Sequence, residues 1–185
     1  MRFPIPLLSL LTFTALTLPL VPGPWSLVPN ALAQTETPDA QKAEADRLLQ
    51  QGIQQFRISQ FREALQSWEQ ALSLYRDIGD RQGEANALGN LGLAYRSLGQ
   101  YERAIDFHQQ SLAIKREIGD RQGEANALGS LGLAYRSLGQ YERAIDFLQQ
   151  SLAINREIGD RQGEANSLGN LGSAYLSLGP VRARH

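Results

Sequence analysis

Forty residues, Arg81 to Asp120, are followed at once by a second copy, Arg121 to Asp160, that differs only at Asn90/Ser130, His108/Leu148 and Lys115/Asn155. About half of the same stretch appears a third time from Arg161 to Gly179, and a more diverged copy runs from about Gln41 to Asp80. A fixed period restricts the fold more than composition can. Each unit is too small to bury its own apolar face, so it stacks on the next and the chain becomes a one-dimensional array.

The residues inside the unit specify the kind of array. Leu88, Leu91, Tyr95 and Leu98 recur at spacings of three and four, the signature of one helical face within Gln82 to Leu98. Gly99 ends that helix, because glycine tolerates the left-handed geometry of a C-cap. A second helix from Tyr101 to Ile118 carries Ala104, Ile105 and Leu112 on its inner face. At Gly79-Asp80 and Gly119-Asp120 the glycine closes one helix and the aspartate caps the next. Glycines at 83, 89, 92 and 99 exclude a sustained heptad coiled coil. The expectation is an all-α fold, an α-solenoid of antiparallel helix pairs with about three and a half repeats.

The pattern Leu88-x2-Leu91-Gly92-x2-Tyr95, then Ala104-x3-His108-x2-Ser111, resembles the tetratricopeptide repeat (TPR). The second copy matches with Leu128, Leu131, Gly132, Tyr135, Ala144, Leu148 and Ser151. The first has Leu48, Gly52, Ala64, Trp68 and Ala71, but Gln51 and Gln55 where leucine and tyrosine belong, as suits an N-terminal cap facing water. The 40-residue period, with NLGxAYxSLG and GDRxxE, is similar to the kinesin light chain and Pins-type branch, and to exported bacterial arrays, cyanobacterial ones especially. The resemblance implies a right-handed superhelix. In domain terms it gives one diverged TPR at 41–80, TPRs at 81–120 and 121–160, and a half unit of one helix at 161–179.

Before the array, Arg2 is followed by an uncharged stretch from Phe3 to Thr35, with an apolar run from Leu7 to Val21 and helix-breaking Pro22, Gly23, Pro24 and Pro29. Ala31-Leu32-Ala33 supplies the small-x-small pattern of a signal peptidase site. Residues 1–33 therefore read as a secretory signal cut between Ala33 and Gln34, leaving no stable membrane span; an uncleaved anchor is the alternative. The expected setting is the periplasm, the thylakoid lumen or the extracellular space. Gln34 to Ala40 reads as a disordered linker.

After the array, residues 180–185, Pro-Val-Arg-Ala-Arg-His, abandon the repeat. Codons for the expected Gln-Tyr-Glu-Arg-Ala-Ile-Asp, written CAG TAC GAG CGC GCC ATT GAC, become CCA GTA CGA GCG CGC CAT TGA with one inserted C. That encodes this tail and a stop. The expectation is a frameshifted fragment of a longer array; a naturally evolved short tail is the alternative. The helix from about Gln162 to Leu178 then lacks a partner, which leaves Leu171, Tyr175 and Leu178 partly exposed. Fraying or self-association through this open end follows.

By the family's geometry, the first helix of each unit lines a concave groove. Opposite the core face lie Asn86, Asn90, Leu93 and Arg96, then Asn126, Leu133 and Arg136, then Asn166 and Asn170, with Asp46, Leu49, Ile53, Phe56 and Arg57 in the first unit. Asparagine pairs with both donors and acceptors of a peptide backbone, arginine with carboxylates and leucine with an apolar side chain. A protein or peptide is the expected partner. The competing reading is that curvature covers the leucines and leaves the arginines merely solvated. Gly89 and Leu93 stand where chaperone-binding relatives carry a basic clamp, and the Pins-type groove often has asparagine at Leu93 and Leu133, so neither ligand carries over.

Other functions find little support. Lys and Arg number 18 against 19 Asp and Glu, without a charged block, so nucleic acid is not an expected partner. Cysteine is absent, which removes thiolate chemistry. His108 shares its repeat position with Trp68 and Leu148 and reads as a packing residue; His185 belongs to the aberrant tail. Glu102/Asp106 and Glu142/Asp146 read as a solvated face. No catalytic residue, metal or cofactor is expected. The main reading is an exported non-catalytic scaffold. Its alternatives are the recognition arm of a larger protein with an effector such as a CHAT peptidase-like domain, or a truncated product without function.

Overall fold

A computed structural model describes residues 37–182. The expected signal, its cleavage site at Ala33 and Gln34, and residues 183–185 lie outside the described residues. Seven helices follow one another among the described residues: α1 (Pro38–Arg57), α2 (Phe61–Asp77), α3 (Arg81–Ser97), α4 (Tyr101–Glu117), α5 (Arg121–Ser137), α6 (Tyr141–Glu157) and α7 (Arg161–Arg182). Each packs on its chain neighbours. In addition α1 touches α3, α3 touches α5 and α5 touches α7, whereas α2, α4 and α6 do not reach one another. The odd-numbered helices therefore crowd along the inner side of the array, and the even-numbered ones splay along the outer.

The Gly-Asp junctions set this geometry locally. Gly79, at φ +72°, donates its amide to the Arg76 carbonyl at 3.2 Å, and Asp80 donates to Tyr75 at 2.9 Å. These bonds satisfy carbonyls that a helix end leaves orphaned. The Asp80 side chain then accepts from the Gly83 amide at 2.8 Å, capping α3. The same arrangement recurs at Gly119-Asp120 and Gly159-Asp160.

Helices within a pair meet at a glycine. A Cβ on Gly52 would lie 2.3 Å from the Trp68 ring, on Gly92 2.5 Å from His108, and on Gly132 2.5 Å from Leu148. One repeat position thus seats tryptophan, histidine or leucine, each fully buried. The packing role expected of His108 holds. Units are also tied by charge: buried Glu84 accepts from Arg76 at 2.8 Å and from Arg81, which reaches on to Glu117 at 2.5 Å. Arg116, Glu124, Arg121 and Glu157 repeat the chain one unit later.

Three expectations need correction. The linker assigned to residues 34–40 ends early, because α1 begins at Pro38 with Thr37 as its N-cap, accepting from the Ala40 amide at 3.3 Å. Thr-Pro-Asp is a helix start: cap, proline at the first position, acid in the first turn. At the other end, α7 continues through Gly179 to Arg182, so the helix does not stop at 179 and the tail from 180 is helical at first. After Gly99 and Gly139, the amides of Gln100 and Gln140 lock the turn by donating to Tyr95 and Tyr135, each at 2.9 Å. Pro180 occupies that place and has no N–H to donate. Finally, Leu171 and Leu178 are buried rather than exposed, packing with Ala174 against Ile145 and Leu148 of α6. Tyr175 is exposed, as expected, and so is Leu168.

Candidate functional site

The inner side of the array holds two adjoining hollows. The first, of about 400 Å³, lies over α3. Leu49 and Ile53 of α1 form one wall, and Asn86, Asn90 and Leu93 of α3 form the floor with Gly89. His108, Ser111 and Lys115 enter from α4, and Asn126 and Ser130 close it from α5. The second, of about 320 Å³, continues past α5: Leu133, Ser151, Asn155, Asn166 and Asn170 line it, and it shares Asn126 and Ser130 with the first.

The helical repeat explains this floor. Asn86 and Asn90 stand four apart on one face of α3, and the glycine between them keeps the floor open. A Cβ at Gly89 would meet only the Ser111 hydroxyl, at 3.5 Å. That hydroxyl is already engaged, donating to the Ala85 carbonyl at 2.8 Å, as Ser151 does to Ala125. The amides are therefore the groups with hydrogen-bonding capacity toward the hollows.

Most residues singled out from the sequence come together here. Asn86, Asn90 and Leu93 line the first hollow, Leu133, Asn166 and Asn170 the second, and Asn126 both. Leu93 and Leu133 are half-buried on the floor, so curvature does not cover them. Arg96 and Arg136 line neither hollow; both are half-buried, one turn beyond Gly92 and Gly132. The sequence reading missed the contribution of the second helices. Lys115 is buried and donates to Asn86 Oδ1 and to Asp120 Oδ2, each at 2.8 Å. The signal was present: Lys115 is one of the three positions at which near-identical repeats differ.

His108 is the buried histidine beside the first hollow. Burial, and then the Arg96 charge, push the His108 pKa down to about 4, so the ring is neutral near pH 7. Among the described residues, no three His, Asp or Glu side chains group as metal ligands would.

A tetratricopeptide repeat family model matches residues 44–117 and 119–179. No curated protein matches the chain in sequence. Among solved structures, BtubC (BKLC) of P. vanneervenii is 21% identical with a TM-score of 0.70, over 79% of this chain and 59% of that one. A putative kinesin light chain of Podospora anserina with nearly identical TPR-like repeats is 20% identical, TM-score 0.65, over 77% of this chain and 70% of that one. The TPR2AB domain of yeast Sti1, in its pHSP90 complex, is 26% identical, TM-score 0.64, over 77% of this chain and 50% of that one. The chain thus spans less than two thirds of BtubC and of the Sti1 domain. The repeat pattern, the helix pairs meeting at glycine and a match over most of the sequence agree: the chain belongs to the tetratricopeptide repeat family.

Proposed function

We propose that this chain is a non-catalytic scaffold that holds a protein segment or peptide in extended form along the inner face of the array. The observation that carries this is continuity: two hollows joined at Asn126 and Ser130, with asparagines repeated along their length. Such a row suits the alternating donors and acceptors of an extended backbone. Tetratricopeptide repeat domains typically mediate protein–protein interactions, and the similar Sti1 domain occurs in a pHSP90 complex. The reading is the same whether the array acts alone or as the recognition arm of a larger protein.

The exported setting rests on Arg2, the apolar run and Ala31-Leu32-Ala33. Among the described residues no helix is long and apolar enough to cross a membrane.

A displayed peptide library panned on the chain from Gln34 onward tests the groove. Enriched peptides are expected to bind about tenfold more weakly when Asn86→Ala and Asn126→Ala are combined, the size of a lost hydrogen bond or two. Photocrosslinking of those peptides only to residues outside the two hollows, such as Glu102 and Glu142, would sink the proposal. Self-association through α7 belongs to the same reading, supported by exposed Leu168 and Tyr175. Sedimentation should show a concentration-dependent dimer that Leu168→Ser weakens; a monomer at every concentration rules this out.

A further inference from the structure

The three positions at which the second and third repeats differ are not scattered. Asn90, His108 and Lys115 all line the first hollow, and Ser130, the counterpart of Asn90, lines it from α5. Only eight of the forty residues from Arg81 to Asp120 reach that hollow, so differences placed without regard to it would rarely all fall there. The two copies have diverged in the wall of the groove.

The change at Lys115 is chemical. An ammonium can only donate, so the Asn86 amide meets it through its oxygen, and both Asn86 N–H groups are left for another partner. In the third repeat Asn155 turns instead to Ser151 and Ser167, at 3.4 and 3.1 Å, and does not bond Asn126. In the first repeat Tyr75 donates to Asp46 at 2.6 Å, across the same interval of 29 residues. This position on the second helix therefore orients, or leaves unoriented, the groove residue of its own unit.

The charge of Lys115 is already matched. Burial pushes the Asp120 carboxyl up, but the Lys115 bond and the Gly123 amide outweigh it and hold the pKa below its ordinary value. The pair leaves this section with donors and no net charge of its own. Leu49, Ile53 and Leu93 stand beside those donors.

We propose that this section, and not the groove at large, selects the peptide. A neutral carbonyl of the ligand accepts from Asn86, and an apolar side chain of the same peptide sits among Leu49, Ile53 and Leu93. Lys115 is the positioning residue that sets Asn86 for this contact. The inference rests on the groove reading above.

One variant tests it with the fold held nearly constant. Asn90→Ser, His108→Leu and Lys115→Asn together turn the second repeat into the sequence of the third, which the array already accommodates. Peptides enriched on the native chain are titrated against this variant, against Lys115→Asn alone and against Lys115→Arg. The triple variant and Lys115→Asn should each bind about tenfold or more weakly, and Lys115→Arg, which keeps a cationic donor, should recover most of the affinity. Binding to the native chain should change little with added salt, and the enriched peptides should share an apolar residue but no charge. Unchanged affinity in the triple variant, or an acidic consensus with steep salt dependence, overturns the inference and leaves the groove reading standing. Failure of every peptide to bind the native chain removes both.

Discussion

α5 and α7 have thirteen of their first seventeen residues in common, yet the same side chains live in different surroundings. Leu128 is 0% exposed and its counterpart Leu168 46%; Tyr135 is 7% exposed and Tyr175 50%. Tyr135 stacks on Phe147, with ring centroids 5.2 Å apart, beneath the Arg143 guanidinium. Tyr175 instead accepts a hydrogen bond from Gln149, at 3.1 Å. A Cβ on Gly132 would strike Leu148, whereas nothing lies within 4 Å of one on Gly172. Arg121 bridges Glu124 to Glu157, while Arg161 ends at Glu164. No second helix follows α7 among the described residues, and these differences trace to that. Burial here is conferred by the neighbouring helix and not by the residue itself.

If so, equal substitutions must have unequal costs. Leu128→Ala removes a fully enclosed side chain and should cost about 2–5 kcal/mol in urea unfolding. Leu168→Ala should cost less than about 1 kcal/mol. Equal losses would mean that α7 is covered in solution, and the contrast would fail.

The next contrast holds the surroundings fixed and changes the residue. His108 and Leu148 occupy the same seat in adjacent units. The His108 pKa falls from 6.5 to about 4 on folding, so between those values the unfolded chain takes a proton that the folded chain refuses. Its contribution is intact above pH 6.5 and declines as the pH drops toward 4, by about 3 kcal/mol in all. His108→Leu, copying the third repeat, should remove that part of the acid sensitivity in denaturation curves taken across the window. An unchanged slope would assign the sensitivity to the carboxylates.

A smaller effect should differ in sign. Gly132→Ala forces a methyl against Leu148 and the Ala144 carbonyl, and should destabilise by about 1–3 kcal/mol. Gly172→Ala meets open space and should stabilise by up to about 1 kcal/mol, the helix preference for alanine. Thermal melts of the two variants shifting in the same direction would contradict the packing described for the helix pairs.

The period, the two helices per unit and the caps could be read from the sequence because each depends on residues close in the chain. Asp80 and Gly83 are three apart, and so are Gly79 and Arg76. What could not be read depends on distant partners or on an absent one. Lys115 meets Asn86 across 29 residues, and no periodicity marks that pair. Gly179 carries the same stop as Gly99, but the stop works through the amide of the following residue, which Pro180 lacks. Leu171 and Leu178 lie on the side of α7 that α6 covers, a contact set by distant residues and not by spacing within α7. Arg96 and Arg136 share the groove face on a helical wheel but stand beyond the hollows along the helix axis, a coordinate that a wheel discards.

The Gly-Asp junctions also make the array editable. The backbone and N-cap bonds of a junction join residues no more than five apart, so cutting the chain between two junctions and inserting a whole unit breaks none of these. The Arg–Glu chains keep the same register in the 81–120 and 121–160 units and would close again across an insertion between them. Unequal crossing-over between near-identical copies would then lengthen or shorten the groove in whole steps. In such a molecule the length of the inner face is written in the number of repeats within one gene, and point substitutions such as those at 90, 108 and 115 change its lining one residue at a time.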